Sequence, residues 1–167
     1  MIWKFGDNIN TDFISPGRHN VTISLADNAN ELSKIAFIEY RPDFSKKVRK
    51  GDVIVAGENF GCGSSRESAA VALKACGLKA IIAKSFARIF YRNAINIGLP
   101  LIEVDTANFD ESDEIEIDFE RSKIRNKTKS FELDFKLDRL TKRILDEGGI
   151  ISYLQKNGLD SLERLLE

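Results

Sequence analysis

Residues 52–83 read DVIVAGENFGCGSSRESAAVALKACGLKAIIA, and this stretch decides the fold. It opens on a short apolar run, Asp52-Val53-Ile54-Val55-Ala56, with the length and composition of a buried strand. A polar, glycine-rich loop follows, running from Gly57 to Gly63. Residues 65–76 then carry Ala69, Ala70, Leu73 and Cys76 at helical spacing, and Gly77 is placed to end that helix. Residues 79–83 (KAIIA) form a second apolar run. Beyond it, Ser85 is placed to cap a helix through Ile97, with Phe86, Ile89, Phe90 and Ile97 on its apolar side and Gly98 as the stop. Residues 99–104 form a third strand. Strand, helix, strand, helix, strand with short joints predicts parallel pairing through right-handed crossovers.

Toward the N-terminus, residues 2–5 are a strand candidate. Residues 7–18 are punctuated by Asn8, Asn10, Pro16 and Gly17 and read mostly as loop. Residues 29–38 place Leu32, Ile35 and Ala36 at helical spacing, and Arg41-Pro42 breaks what precedes it. Toward the C-terminus, residues 103–120 hold nine acidic and no basic side chains, and residues 121–129 hold five basic ones. Ile115, Ile117 and Phe119 alternate with acids, and Phe131, Leu133, Phe135 and Leu137 alternate likewise. Both segments predict half-buried antiparallel strands with opposite charges pairing across them. The plainest reading of the charge runs is a solvated sheet face. Residues 139–147 and 150–155 read as helices separated by Gly148-Gly149.

A length of 167 residues fits one domain, and 43% hydrophobic residues can supply its core. The 25 basic and 26 acidic side chains nearly cancel, which argues against a nucleic-acid partner. No stretch approaches the ~20 apolar residues of a membrane span, so no membrane partner is expected. The opening MIWKFGDNIN has no apolar core of signal-peptide length, so a cytoplasmic location is expected. Two cysteines, Cys62 and Cys76, and one histidine, His19, are too few soft ligands for zinc or an iron–sulfur cluster. Cys76, inside VALKACG, reads as a small core residue.

The chemistry concentrates in GENFGCGSSRES, residues 57–68. A loop between a buried strand and a helix start is where open α/β sheets bind ligands. Gly57, Gly61 and Gly63 allow close approach of the backbone, the helix start favours an anion, and Arg66 offers a fork for a carboxylate. A small di- or tricarboxylate would suit such a site. The loop lacks the Gly-Lys-Ser/Thr of a P-loop, the pattern G-x-S-x-G, and the third glycine of a Rossmann fingerprint, where Arg66 stands. An architectural reading stays open beside the functional one, since Ser64 and Glu67 fit the S-x-x-E pattern of a capping box.

These residues carry a resemblance. GCGSSRESAAVALKACGLKAIIAKSFARIFYRNAINIGLPL resembles the swivelling domain of the aconitase superfamily, and more closely the separate small subunits of 3-isopropylmalate dehydratases and homoaconitases. KFGDNINTDFISPGR is similar to that family's opening motif, so the likeness covers most of residues 3–104. It implies an α/β fold over residues 1–167: a single swivelling β/β/α domain with a partly parallel central sheet, flanking helices and antiparallel C-terminal strands. It implies a hydro-lyase that interconverts 2-isopropylmalate and 3-isopropylmalate by loss and return of water. This chain would bind no cofactor. A large partner subunit, in a heterodimer or heterotetramer, would carry a [4Fe-4S] cluster acting as Lewis acid.

The same resemblance makes Ser64 the base, has Ser65 hold the substrate or the alkoxide, and pairs Arg66 with a substrate carboxylate. Gly63 would line the substrate, and Arg18, His19, Val21 and Thr22 would read its variable group. Homoaconitase-type relatives place arginine where Val21 stands, so Val21 favours an isopropyl group; tyrosine is common where His19 stands. A homoaconitase or dimethylmalate-type hydro-lyase stays open, as does a stand-alone carboxylate-binding module.

Overall fold

The computed structural model of the protein describes residues 1–20, 29–65 and 67–161, apart from the side chains of Asn20 and Asp160. In chain order its elements are β1 (Ile2–Lys4), α1 (Thr11–Ile14), α2 (Gly17–Asn20), α3 (Ala29–Lys34), α4 (Phe44–Lys47), β2 (Val53–Ala56), α5 (Ser68–Ala75), β3 (Ala80–Ala83), α6 (Arg88–Asn96) and β4 (Leu101–Glu103). Then come β5 (Ile115–Asp118), β6 (Lys123–Asn126), β7 (Phe131–Asp134), α7 (Arg139–Asp146), α8 (Ile150–Asn157) and a 3₁₀ turn at Leu159–Ser161.

The three apolar runs are β2, β3 and β4 of a four-stranded parallel sheet in the order β1-β2-β3-β4. Both faces of this sheet are covered, which is why the runs are continuous and not alternating. Trp3, Ile54, Ala56, Ile81, Ala83 and Leu101 pack into a core with Leu32, Leu73, Phe90 and Ile144 from the helices. Ile2, Val53, Val55, Ala80, Ile82 and Ile102 face Phe109, Ile117, Ile124 and Phe135 on the other side. The strand order never reverses, so crossovers of one hand put the helices on one face. There α5 lies between α3 and α6, with α7 and α8 against α6.

The opposite face is covered by a second, antiparallel sheet in the order β5-β6-β7. The two expected acidic strands are there, but they do not pair with each other. The basic strand β6, unread in the sequence, lies between them, because each acid needs a base opposite. Glu116 stands across from Arg125, and Arg125 from Glu132. Lys123 bonds Asp134 at 3.1 Å, and Arg125 bonds Glu132 at 3.2 Å. The fully buried pair Ile124 and Asn126 forms the inner side of β6, and the polar Asn126 hides the apolar alternation.

Three local expectations shift. Residues 7–18 are not mostly loop, since α1 and the start of α2 lie there, with the Asn10 side chain accepting the Asp12 N–H to cap α1. The helix expected over residues 65–76 begins at Ser68, with Glu67 at its N-cap and no side-chain cap bond. The capping box Ser64–Glu67 is therefore not at the helix start. Ser85 likewise caps nothing: the chain stays extended through Ala87 and α6 starts at Arg88.

Candidate active site

The loops after β1, β2 and β3 stay side by side beyond the ends of their strands. The Asn8 N–H donates to the Glu58 carbonyl at 2.8 Å, the Gly61 N–H to Ile9 at 2.7 Å, and the Thr11 N–H to Cys62 at 2.7 Å. On the other flank the Phe60 N–H donates to the Ser85 carbonyl at 3.0 Å and the Ala87 N–H to Phe60 at 2.9 Å. Side chains tighten the seams. Asp7 accepts the Glu58 N–H at 2.7 Å, Ser85 Oγ accepts the Asn59 N–H at 2.8 Å, and the Asn59 amide donates to Asn8 at 2.9 Å. Ser85 is a clamp between loops because residues 86 and 87 are still paired to Phe60.

Two glycines shape the tip of the β2 loop. Gly61 has φ +80° and lies so close to the Phe90 ring that a Cβ would collide with it. Gly63 has φ +103°, and a Cβ there would stand 2.5 Å from Asn10 Oδ1. Only glycine tolerates that backbone together with that contact. The tip then delivers Ser64, half-buried, and Ser65, exposed.

The buried Thr11 hydroxyl, on a residue 4% exposed, accepts the Ser64 N–H at 2.9 Å. Its own proton has the Ser64 carbonyl at 3.4 Å and Asn10 Oδ1 at 3.5 Å, both long. The Asn93 amide donates to the Ser65 carbonyl at 3.3 Å. The N–H of Ser64 is thus committed to Thr11 and is not among those free to stabilise an oxyanion. Nor does α5 aim its N-terminus from Ser65, since it starts at Ser68 behind the acidic Glu67.

The structure brings Gly63, Ser64 and Ser65 together with Asn10, Thr11 and Asn93. Arg66, Val21 and Thr22 lie outside the described residues. Arg18 and His19, on α2, meet at Glu39: Arg18 Nε pairs with its carboxylate, and His19 Nε2 lies 3.0 Å from the same oxygen. Arg18 chiefly, and His19 after it, holds the Glu39 carboxyl below the ordinary carboxylate range. Glu39 lies between Phe37 and Tyr40, both of which make ring contacts. Phe37 stacks on Phe5 at 4.4 Å and donates its N–H to the Ile14 carbonyl at 2.9 Å, and Tyr40 stacks on Phe13 at 4.8 Å.

Sequence reasoning passed over Thr11, Asn93 and Glu39 as site residues. Thr11 stands inside the opening motif KFGDNINTDFISPGR, which was the available signal. Asn93 likewise stands inside the longer motif that ends at Leu101, whereas Glu39 had no signal, its partners lying 20 and 21 positions away.

Among the described residues, no group of three or more His, Cys, Asp or Glu side chains is placed to hold a metal ion. Burial pushes the Cys76 thiol up to about 12, and its sulfur faces the Ser33 carbonyl at 3.8 Å. Cys62 belongs to the loop seam, bridged to Asn10. These donors do not suit a cluster held on three thiolates of this chain. No helix among the described residues is long and apolar enough to cross a membrane.

A parallel sheet with helices on one face, an antiparallel sheet on the other and a serine-bearing loop at its carboxyl edge make up a β/β/α domain. The aconitase C-terminal domain family matches residues 8–107, which include Thr11, Ser64 and Asn93. The chain is 52% identical to a 3-isopropylmalate dehydratase small subunit of Archaeoglobus fulgidus, over 93% of each chain. It is 51% identical to the methanogen homoaconitase small subunit of Methanothermobacter thermautotrophicus, over 93% of this chain and 89% of that one. The crystal structure of a 3-isopropylmalate dehydratase from Methanocaldococcus jannaschii superposes with a TM-score of 0.87 at 45% identity, covering 98% of this chain and 96% of that one. The protein belongs to the aconitase C-terminal domain family, among the small subunits of the 3-isopropylmalate dehydratase group. Relatives named for different acids are almost equally similar, so overall identity does not choose the substrate.

Proposed function

We propose that this chain is the cluster-free small subunit of a 3-isopropylmalate dehydratase, interconverting 2-isopropylmalate and 3-isopropylmalate in leucine biosynthesis. The observation that carries the reading is Ser64, presented half-buried at the carboxyl edge of the sheet with its N–H held by Thr11. In this reading residues 1–167 move as one swivelling unit in the cytoplasm and act only with a large subunit. That subunit would hold a [4Fe-4S] cluster, whose chemistry is Lewis acidity toward the substrate hydroxyl.

This chain's share is proton transfer and binding. Ser64 Oγ takes the proton from the carbon beside the leaving hydroxyl and returns one on rehydration. Serine is a weak base, so its alkoxide needs nearby positive charge, which Arg66 would supply while pairing with a carboxylate. Ser65 holds the substrate or the alkoxide, and Gly63 lines the substrate. Arg18, His19, Val21 and Thr22 read the variable group. The second reading is a homoaconitase or dimethylmalate-type small subunit, and the methanogen homoaconitase small subunit, at 51% identity, keeps the homoaconitase form of it in view.

The test is anaerobic reconstitution with the cognate large subunit, following the unsaturated intermediate by ultraviolet absorbance. Ser64→Ala is expected to lose about 10²–10⁴-fold in kcat while still binding the partner. Full activity of that variant would remove Ser64 as the base. A higher kcat/KM for homoaconitate than for 3-isopropylmalate would select the second reading.

A further inference from the structure

Glu39 lies outside every motif the proposed function uses, yet it gathers the two described residues of the substrate-reading segment on one carboxylate oxygen. Its neighbours in the chain are packed, Phe37 on Phe5 and Tyr40 on Phe13, and Arg18 and His19 both reach its carboxylate. The consequence is electrostatic. Arg18 alone would make the segment cationic, and a cation there draws in whichever substrate carries the most negative charge. With Glu39 attached, the Arg18–Glu39 pair is neutral. A neutral segment gives an added carboxylate no gain to offset its lost hydration, whereas an alkyl group loses nothing.

We propose that Glu39 is a specificity-determining residue: by neutralising Arg18 and positioning it together with His19, it biases the site toward a substrate with an uncharged substituent and against one with an added carboxylate. This rests on the functional reading above. The Arg18 charge is thus cancelled from 21 positions downstream. Glu39 acts through Arg18 and His19 and does not itself touch the reacting atoms.

The experiment uses the reconstituted two-subunit enzyme with 3-isopropylmalate and homoaconitate as probes. In Glu39→Gln the shape is kept and the charge removed. The ratio of kcat/KM for homoaconitate to that for 3-isopropylmalate should rise about five- to tenfold, mostly through KM, as expected for one unit charge in a solvated site. The rise should shrink at 0.5 M KCl, roughly, because screening weakens an exposed charge. Glu39→Asp should restore the wild-type ratio. A purely structural role would instead lower activity toward both acids alike, with no salt dependence. An unchanged ratio in Glu39→Gln, or an equal loss toward both acids, overturns the inference. Wild-type enzyme that converts neither acid, or prefers homoaconitate, overturns the functional reading independently of any Glu39 variant.

Discussion

Thr11→Val removes one oxygen and almost no volume, and so isolates the bond that positions Ser64. In the wild type the Thr11 hydroxyl accepts the Ser64 N–H at 2.9 Å from a site 4% exposed. Valine leaves that N–H facing a methyl group. If the loop stays put, the unpaired donor costs about 1–3 kcal/mol. In a chain of this size each kcal/mol is worth roughly 2–4 °C in Tm, so a fall of about 2–12 °C follows. If the loop relaxes toward water, part of that loss is recovered, but Ser64 moves off its position. For Ser64 as the proposed base, misplacement by about 1 Å costs up to ~10²-fold in rate. The expected result is a lower Tm together with a kcat reduced about 10- to 100-fold, with KM for 3-isopropylmalate changing less. Thr11→Ser, which keeps the acceptor, should stay near wild type in both. Calorimetry and the reconstituted ultraviolet assay measure the two quantities on the same preparations. A Thr11→Val variant with wild-type Tm and kcat refutes the bond's role, and one that loses stability with kcat unchanged refutes its link to Ser64.

Gly61→Ala forces a methyl group into the Phe90 ring at a φ of +80° and is expected to abolish soluble expression or lower Tm by 10 °C or more, roughly the effect of several kcal/mol of overpacking and strain. The Asp52 carboxylate is penalised by burial, but the Trp3 indole, the N-terminal ammonium and the Arg49 N–H outweigh this and hold it below the ordinary range. A depressed folded value means its stabilisation is present above the unfolded pKa of about 3.9 and is lost as pH falls through the folded value. Asp52→Asn should therefore be less stable than wild type at pH 7, with the gap closing below about pH 4 in denaturant titrations. Cys76, its thiol pushed up to about 12, should escape iodoacetamide at pH 8 in the folded chain and react in denaturant, as read by mass spectrometry.

The central sheet was legible because a strand buried on both faces has no choice of composition. Residues 53–56 and 80–83 are uniformly apolar, and short joints to helices leave only parallel pairing. Helix starts were less legible. Ser64 and Ser85 look like caps by type, but each is already engaged in the loop seams, Ser64 with Thr11 and Ser85 with Asn59, and the helices begin three or four residues later. Strand β6 escaped because only Ile124 marks its apolar side, the other inner residue being Asn126, bonded to Asp113 at 2.7 Å. For the site, Gly63, Ser64 and Ser65 stand out by their local pattern. Thr11 and Asn93 lie inside the two long motifs, but their roles, like that of Glu39, depend on partners far along the chain, and local pattern carries no record of such pairings.

The zipped loops have a thermodynamic consequence. A reactive edge built from free loops would have to be frozen when it meets another protein, at about 1–2 kcal/mol per backbone residue. Here residues 8–11, 57–62 and 84–87 are already tied to one another by backbone bonds before any encounter. Their ordering entropy is spent during folding, so association is left chiefly with the rigid-body cost of bringing two molecules together. Any molecule that docks on this edge then meets it already ordered.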